Sequence, residues 1–316
     1  MSSTAVYAVR IKDRDILMKS SSGGAFTALS YVFLQKGDAV VSSVYNYEKN
    51  EMGFAMIQSY EGLDAARGSK YMQSKPGDIF RKSCEWIKAN PGKKILFVGM
   101  GCQADGYRKY TEAAGIRDNV FIVDIICHGT PSTKLWKQYV SGKVKDGDIE
   151  FLTFKDKRNG WKHPTAYIRN NGDEISIQEY VNIFYGSCTL RPSCHACPFA
   201  TVERKTDMTI GDFWGIDLSI PEFYDDRGNS LLLIHTDRGM KLFDMAKESV
   251  DYYESNEKEC LQYNLEHPTP KSPLRQKFWR EYQRHGVDYI VNKYGKDTLY
   301  KKLKHKLTRI IWGGGI

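Results

Sequence analysis

Three of the seven cysteines fall within ten residues of one another. Cys188, Cys194 and Cys197 are separated by five and two residues, and Pro198 follows the last thiol. Thiolates bind soft metals, and a Cys-x-x-Cys turn lets two sulfurs reach one ion or one face of a cluster. Three sulfurs followed by proline are typical of iron-sulfur ferredoxin runs, whereas zinc sites usually pair two such turns. The spacing favours an iron-sulfur cluster over a structural zinc ion or three structural cysteines.

A cubane cluster needs a fourth ligand from elsewhere in the chain. Cys102 and Cys127 each follow a predicted buried strand, at residues 94–98 and 120–126. In open parallel sheets ligands collect beyond the carboxyl ends of the strands, so either thiol is a candidate fourth ligand. A buried structural cysteine is the alternative for each of them.

Two polar loops have the composition of anion sites. Residues 19–24, KSSSGG, precede a predicted helix at 24–35, and small residues at a helix N-terminus present N–H groups to a phosphate. A flavin or nucleotide would fit there, and an ordinary cap formed by Ser21 or Ser22 is the alternative. The composition of residues 68–75, GSKYMQSK, is compatible with a loop that binds a phosphate or stacks on a ring. It is equally compatible with a plain surface loop.

The composition places the chain among globular proteins. Hydrophobic residues make up 41% and charged residues 27% of the 316 positions, which is too apolar for a disordered chain. No apolar run approaches the roughly 18 residues of a membrane span, and the first residues lack a secretory pattern. We therefore expect a cytoplasmic protein whose cysteines are reduced thiols or metal ligands.

The net charge of +8 is concentrated near the C-terminus. Residues 291–312 contain seven Lys or Arg and one acidic residue, and their leucines recur at helical spacing. Such a basic amphipathic helix can contact an anionic surface at the inner membrane face or an acidic partner. The pattern slightly favours the alternative, a terminal helix packed on its own core. No basic groove rich in aromatic residues accompanies it, so we expect no nucleic-acid partner.

Strand and helix patterns alternate along the first half of the chain. Parallel strands joined by helices are therefore expected over residues 1–148, an antiparallel part with the cysteine-rich loop over 149–266, and a helical basic segment over 267–316. The predicted fold class is α/β (α+β), with a mixed sheet flanked by helices. The predicted strands lie at residues 6–10, 38–45, 94–98, 120–126, 149–154 and 165–169, and the predicted helices at 24–35, 79–90, 106–114 and 132–145.

Several motifs in a fixed order resemble one known family. SSSGGAF, GSKYMQSK, ILFVGMGCQADGYRKY, VDIICHGTPS, FKDKRNGW, CTLRPSCHACPF, TDMTIGDFWG and GNSLLLIHT together resemble the coenzyme F420 hydrogenase/dehydrogenase beta-subunit family over most of residues 18–236. The resemblance implies an oxidoreductase that binds FAD, with FMN as the alternative, and a [4Fe-4S] cluster. The motifs look most like the branch found in bacterial gene sets for capsule and exopolysaccharide biosynthesis.

The resemblance also assigns roles to individual residues. It implies that the flavin phosphate or ribityl group is held by Ser21, Ser22, Gly23 and Gly24, and that the same pocket is lined by Ser69, Lys70 and Tyr71. It implies that the cluster is held by Cys127, Cys188, Cys194 and Cys197. Cys102 would then be a redox-active thiol beside the flavin, or the true fourth ligand. As a further hypothesis, negative charge on the reduced flavin would be offset by Lys70, or by Lys155 and Arg158. A solvated β-turn is the alternative for the segment that carries Lys155 and Arg158.

The implied activity is an electron relay. Electrons would pass between the flavin and the cluster to reduce or oxidise a small organic substrate. Many relatives carry an N-terminal ferredoxin-like segment that this chain lacks, so we expect an external electron carrier such as ferredoxin, and oligomers are compatible with this arrangement. The alternatives are an electron-transfer subunit without its own substrate and a zinc-stapled scaffold without catalytic activity.

Overall fold

The computed structural model describes residues 4–144 and 147–296. Within these ranges the strands form a nine-stranded mixed sheet and a separate three-stranded antiparallel sheet. The strands are β1 (Ala5–Ile11), β2 (Ala39–Asn46), β3 (Glu51–Ile57), β4 (Ser74–Lys75), β5 (Ile95–Met100), β6 (Val120–Ile125), β7 (Phe151–Asp156), β8 (Thr165–Asn170), β9 (Asp173–Ser176), β10 (Met208–Asp212), β11 (Ser230–Ile234) and β12 (Val250–Ser255).

Helices cover both faces of the large sheet. In the described part of the chain they are α1 (Arg14–Lys19), α2 (Ala25–Leu34), α3 (Leu63–Ala66), α4 (Ile79–Ala89), α5 (Gly101–Ala113), α6 (Thr133–Lys143), α7 (Gln178–Tyr185), α8 (Ile216–Ser219), α9 (Asp237–Ala246), α10 (Glu257–Cys260), α11 (Tyr263–Glu266) and α12 (Arg275–Ile290). A 3-10 turn spans Pro192–Ala196, and a π-helical turn at Val291–Gly295 follows α12. None of these helices is long and apolar enough to cross a membrane.

The large sheet has the strand order β12-β1-β11-β10-β6-β5-β2-β3-β4. Its centre is parallel, since β2 pairs with β5, β5 with β6 and β6 with β10 in parallel, and antiparallel pairs surround this centre. The predicted mixed sheet flanked by helices is thereby confirmed. Strands from both sides of residue 148 share this sheet, because β10, β11 and β12 join it.

Strand β5 shows why the sheet is covered on both faces. Leu96 and Val98 belong to the core formed with α2 and α9, whereas Ile95 and Phe97 belong to the core formed with α4 and α5. Successive side chains of a strand point to opposite faces, so an uninterrupted apolar run must be buried on both. The run ILFV therefore needs helices on each side of the sheet.

Two local predictions differ from the structure. Helix α5 begins at Gly101 instead of residue 106, because the Gln103 side chain accepts a hydrogen bond from the Met100 N–H and starts the helix earlier. The sequence pattern also predicts that the strands at 149–154 and 165–169 flank a turn at Asn170, Asn171 and Gly172. In the structure this turn joins β8 to β9, and β7 pairs with β8 across a longer connection. The predicted basic helix at residues 291–312 lies outside the described residues from position 297 onward.

Gly23 holds its loop tightly against the large sheet. Its carbonyl accepts a hydrogen bond from the Ile11 N–H at 2.7 Å. A Cβ atom on Gly23 would lie 2.2 Å from the Val9 carbonyl oxygen and 2.5 Å from the Ser230 nitrogen. These neighbours are backbone atoms and cannot rotate away, so only glycine fits this position.

Replacing Gly23 and Gly106 by alanine is expected to have opposite effects on stability. Gly23→Ala lowers the free energy of unfolding by about 3 kcal/mol, because the backbones of β1 and β11 must move apart. Gly106 lies within α5 and an added Cβ would meet nothing within 4 Å, so Gly106→Ala raises that free energy by up to about 1 kcal/mol. Urea unfolding of both variants provides the measurement, and equal effects would contradict the packing described for Gly23.

Candidate functional site

Four cysteine side chains line one cavity at the carboxyl ends of β5 and β6. They are Cys102, Cys127, Cys194 and Cys197. The cavity has a volume of about 50 Å³, several times what a single water molecule requires. It can therefore accept a group of several atoms. Among the described residues, no three His, Cys, Asp or Glu side chains are arranged to hold a single metal ion.

The sheet positions the first two thiols. Met100 at the end of β5 is paired with Ile125 at the end of β6, so the chain leaves both strands at the same level. Cys102 follows in the first turn of α5. Cys127 follows after Ile126, whose N–H donates to the Ile210 carbonyl at 2.9 Å and prolongs the contact with β10.

A short segment after α7 supplies the other two thiols. Cys194 and Cys197 lie in and directly after the 3-10 turn at Pro192–Ala196. This segment is tied to the loop that carries Cys127, because the Arg191 N–H donates to the Thr130 carbonyl at 2.9 Å. The two pairs of cysteines thus line one cavity from segments that are far apart in the sequence.

Cys188, a predicted cluster ligand, is placed elsewhere. It is buried in an apolar cluster with residues of α6, α7 and α12, and its thiol donates to the Ser272 hydroxyl at 3.3 Å. Its carbonyl accepts hydrogen bonds from Arg275 and Trp279 at 2.6 and 3.0 Å. The chain turns at Ser187, where φ is +58°, and so carries Cys188 toward α12. The structure brings together three of the four predicted ligands and adds Cys102 to them.

The cavity environment disfavours free thiolates. Burial raises the pKa of the Cys127 thiol to about 12 and also raises the pKa of Cys102, and in both cases neighbouring cysteines add a smaller contribution. A thiolate is the form that binds metal, and burial disfavours any unpaired charge. A positively charged group among the four sulfurs would favour the thiolate forms and would compensate for the burial of their charge.

A buried ion pair lies beside the thiols. Arg204 lines the cavity and its guanidinium donates to the Asp124 carboxylate at 3.0 Å, with the side chains only 3% and 1% exposed. Burial raises the pKa of Asp124, while Arg204 counteracts part of this increase. Arg204 is therefore a fixed positive charge near the cavity, and sequence inspection did not identify it.

His128 connects the cavity to a group of aromatic side chains. It lines the cavity, and its ring nitrogens lie 3.2 Å from the Ser187 hydroxyl and 3.3 Å from the Thr269 hydroxyl. Its ring centroid is 5.1 Å from that of Phe184 and 5.4 Å from that of Tyr185. Burial lowers the pKa of His128 to about 4, so the ring is neutral near pH 7.

Tyr71 continues this aromatic group away from the cavity. Its ring stacks on Phe184 with centroids 4.5 Å apart and planes inclined by 10°, and its hydroxyl lies 2.8 Å from the Tyr185 hydroxyl. Tyr185 is 39% exposed, so the phenol pair reaches the surface. His128, Tyr185 and Tyr71 thus form one aromatic layer between the cavity and residues 68–71.

The two polar loops identified in the sequence contact each other. The Ser69 N–H donates to the Ser21 hydroxyl oxygen at 2.5 Å. Ser22 instead donates its hydroxyl to the Asn229 carbonyl at 2.7 Å, which turns it into the protein. Gly24 occupies the N-cap of α2 with φ of +83°, and no side chain caps this helix. The alternative in which Ser21 or Ser22 caps the helix is therefore not what the structure contains.

Lysine side chains approach these loops in different ways. The Lys70 ammonium group donates to the carbonyls of Ala66, Arg67 and Gly68 and so folds back on its own loop. Burial lowers the pKa of Lys70 to about 7. Lys70 therefore stabilises the end of α3 and its following turn in this structure.

The segment after β7 carries two buried lysines and one exposed arginine. Lys155 donates to the Asp212 carboxylate at 2.7 Å and lies 5.1 Å from the ring centroid of Trp214. Lys157, which sequence inspection missed, donates to the carbonyls of Leu17 and Ser22. Arg158 is exposed and pairs with acidic side chains of its own small sheet, Asp156 and Glu174.

The strand period explains this division. In extended chain, side chains two residues apart share a face, so Lys155 and Lys157 both point inward. Arg158 follows on the outward face with Asp156. In the stretch FKDKR, the alternation of inward and outward side chains was a signal in the sequence. It could have identified Lys157 as buried and Arg158 as lying outside the site.

Beyond Asp124, the hydrogen bonds continue through Thr209 of β10 to His235, which lies just after β11. The Thr209 hydroxyl donates to Asp124 at 2.5 Å and lies 2.8 Å from Nε2 of His235. Burial, followed by the charge of Arg204, lowers the pKa of His235 to about 4. His235 is therefore folded into the protein in its neutral form.

Stability is expected to fall on acidification because His235 must gain a proton. Below its ordinary pKa near 6.5 the unfolded chain binds the proton first, so the free energy of unfolding decreases by up to about 1.4 kcal/mol per pH unit until pH approaches the folded value. Urea unfolding at several pH values should show a shallower slope for His235→Gln. The difference between the two proteins at pH 8, where both side chains are neutral, reports the lost contacts separately. If the free energy of unfolding depends on pH equally in the two proteins, the acid sensitivity does not come from His235.

Comparisons with known proteins agree with this architecture. A family model that describes the C-terminal region of the beta subunit of coenzyme F420 hydrogenase/dehydrogenase matches residues 92–259, a range that includes all four cavity cysteines. A chain from a solved structure, "Xenon derivatization of the F420-reducing [NiFe] hydrogenase complex from Methanosarcina barkeri", is similar in fold, with a TM-score of 0.55 and 18% sequence identity over 93% of this chain and 96% of that chain. No curated protein matches the sequence. The family model covers more than half of the 316 residues, and the chain therefore belongs to the coenzyme F420 hydrogenase/dehydrogenase beta-subunit family.

Proposed function

We propose that the protein is a flavin- and iron-sulfur-dependent oxidoreductase that reduces or oxidises a small organic substrate. The observation that carries the proposal is the convergence of four cysteines on one cavity. Family membership supports electron-transfer chemistry of this class. When bound, a flavin exchanges two electrons as hydride, whereas a cluster exchanges them singly with a carrier.

The proposed cluster ligands are Cys102, Cys127, Cys194 and Cys197. A [4Fe-4S] cubane takes one thiolate at each of four irons, and the four thiols surround a space larger than one atom requires. The cluster would supply the positive charge that lets the buried thiols ionise. Arg204 would offset the net negative charge of the ligated cluster, and it already lines the cavity.

The proposed flavin site is formed by residues 19–24 and 68–71. The two loops are joined through Ser21 and Ser69. The N-terminus of α2 beside them has no side-chain cap and no acidic residue in its first turn, which suits a phosphate. We assign FAD, with FMN as the alternative. Lys155 is the lysine that we place near the ring, because it is buried next to Tyr185 and Trp214.

The aromatic layer would separate the two cofactors. His128, Tyr185 and Tyr71 extend from the cavity to the second loop. Cys102 is exposed, so an external carrier such as ferredoxin could approach the cluster on that side. The substrate is proposed to belong to polysaccharide biosynthesis, on the strength of the motif resemblance. The proposed setting is cytoplasmic, with peripheral contact at the inner membrane face through the basic C-terminal segment.

Serine substitutions are expected to separate the cluster ligands from Cys188. Protein purified without oxygen should contain roughly four irons per chain with matching sulfide. Cys102→Ser, Cys127→Ser, Cys194→Ser and Cys197→Ser should each lose most of the iron and the broad visible absorption. Cys188→Ser is the matched control and should retain both, because its thiol contacts Ser272 outside the cavity.

Two results would contradict this assignment. Loss of iron in Cys188→Ser together with full retention in Cys102→Ser would reject the ligand set. A colourless protein that contains zinc would reject the redox function and favour the stapled scaffold.

Lys155 and Arg158 are expected to differ in their effect on the flavin. Lys155→Met removes a buried positive charge, so it should weaken FAD binding by roughly tenfold or more and make the flavin reduction potential more negative. Arg158→Met should change neither quantity, since Arg158 pairs with Glu174 at the surface. Equilibrium binding and dye-coupled reductive titration measure both. If the two substitutions change FAD affinity and reduction potential equally, the flavin ring does not lie next to Lys155.

A further inference from the structure

A chain of buried polar groups links the thiol cavity to His235, which lies just after β11. Arg204 lies 3.0 Å from Asp124, Asp124 lies 2.5 Å from the Thr209 hydroxyl, and this hydroxyl lies 2.8 Å from Nε2 of His235. We refer to these four residues as the polar chain. Asp124 and Thr209 are fully buried, so their hydrogen bonds are not shared with bulk water.

The hydrogen bonds of the polar chain have a defined direction. Thr209 has one hydroxyl proton and donates it to Asp124, so its oxygen must accept from His235. Nε2 of His235 therefore carries the proton in the neutral ring. Nδ1 is left as an acceptor, and the Thr4 hydroxyl lies 3.4 Å from it. His235 and Thr209 can each pass a proton toward Asp124, and a proton from solvent replaces the one that His235 loses.

The two ends of the polar chain differ in environment. Arg204 is part of the cavity wall, whereas His235 is half-buried and lies just after β11. Solvent can therefore reach the His235 end of the polar chain. The thiol cavity is in contact with the Arg204 end. Such an arrangement can carry protons from solvent toward Asp124. The proposed electron relay gives these residues no role.

The charged groups that face Asp124 and His235 are arginines and one further carboxylate. Arg204 is the charged group that faces Asp124. His235 faces Arg204 and Asp207, and Asp207 is held by Arg117 at 3.1 Å and lies near Arg238. The arginines remain protonated at all relevant pH values. Asp207 also accepts a hydrogen bond from the Ile122 N–H.

We propose that Asp124 takes up one solvent proton, through His235 and Thr209, when one electron enters the cluster cavity from the external carrier. This inference rests on the proposed function. The electron adds one negative charge beside Arg204, and a second negative charge on Asp124 becomes unfavourable in a medium of low dielectric constant. A proton from water binds Nδ1 of His235, the Nε2 proton moves to Thr209, and the Thr209 proton moves to Asp124. One electron and one proton enter, so the buried charge is unchanged.

The test is the pH dependence of the cluster reduction potential. The anaerobic, iron-loaded protein is titrated with dithionite and redox dyes from about pH 5 to about pH 9, and the cluster is followed by electron paramagnetic resonance. In the wild type the potential should fall as pH rises, approaching about 59 mV for each tenfold change in proton concentration. Asp124→Asn should make the potential independent of pH.

Thr209 variants keep the test decisive if Asp124→Asn does not fold. The Thr209 hydroxyl stabilises the carboxylate form of Asp124, so its removal in Thr209→Val raises the pKa of Asp124. The pH range over which the potential varies should then move to higher pH. Thr209→Ser retains the hydroxyl and should behave as the wild type. Asp207→Asn is the matched control, since it removes a buried carboxylate whose arginine does not line the cavity, and it should retain the wild-type slope.

The inference and the proposed function fail in different ways. A loaded protein whose potential does not vary with pH overturns the inference and leaves the cluster assignment standing. The inference is also overturned if the reduction potentials of Thr209→Val and Thr209→Ser have the same pH dependence. A protein that takes up no iron and sulfide overturns the proposed function, and the inference with it.

Discussion

The parallel pairing of β5 with β6 is the constraint on which the candidate site depends. Its register places Met100 opposite Ile125, so the segments that carry Cys102 and Cys127 leave the sheet side by side. Leu96 and Phe97 point into opposite cores, and a slip of one residue would exchange the two faces of the strand. Apolar packing in the middle of the sheet therefore determines the distance between thiols at its edge.

The second constraint is electrostatic. The ion pair of Arg204 with Asp124 is nearly inaccessible to water, and removal of one partner from such a pair typically costs about 3–5 kcal/mol because the other charge remains buried. Arg204 follows the segment that carries Cys194 and Cys197, and Asp124 is part of β6. The pair thus holds the second set of thiols against the sheet that positions the first. It also places a permanent positive charge where ligated sulfurs would add negative charge.

The small sheet is attached to the large one through buried lysines. Lys155 bonds to Asp212 of β10, and Lys157 bonds to the Ser22 carbonyl in the loop before α2. Each ammonium group is satisfied by oxygen atoms of the other part of the molecule, which compensates for its desolvation. The loop before α2, which we assign to the flavin, is therefore held by Lys157 of a separate segment, and Tyr71 joins the second assigned loop to the aromatic layer beside the cavity.

The sequence by itself determined the fold class and, in the described part of the chain, six of the strands and four of the helices, because apolar runs and glycines are local properties. It did not determine which thiols converge. Cys188 is close to Cys194 along the chain, but Ser187 adopts a positive φ and Arg275 binds the Cys188 carbonyl, so this cysteine packs against α12. Cys102 joins the cavity because its strand pairs with β6. Spacing is measured along the chain, whereas a ligand set depends on distances between segments that only tertiary packing brings together.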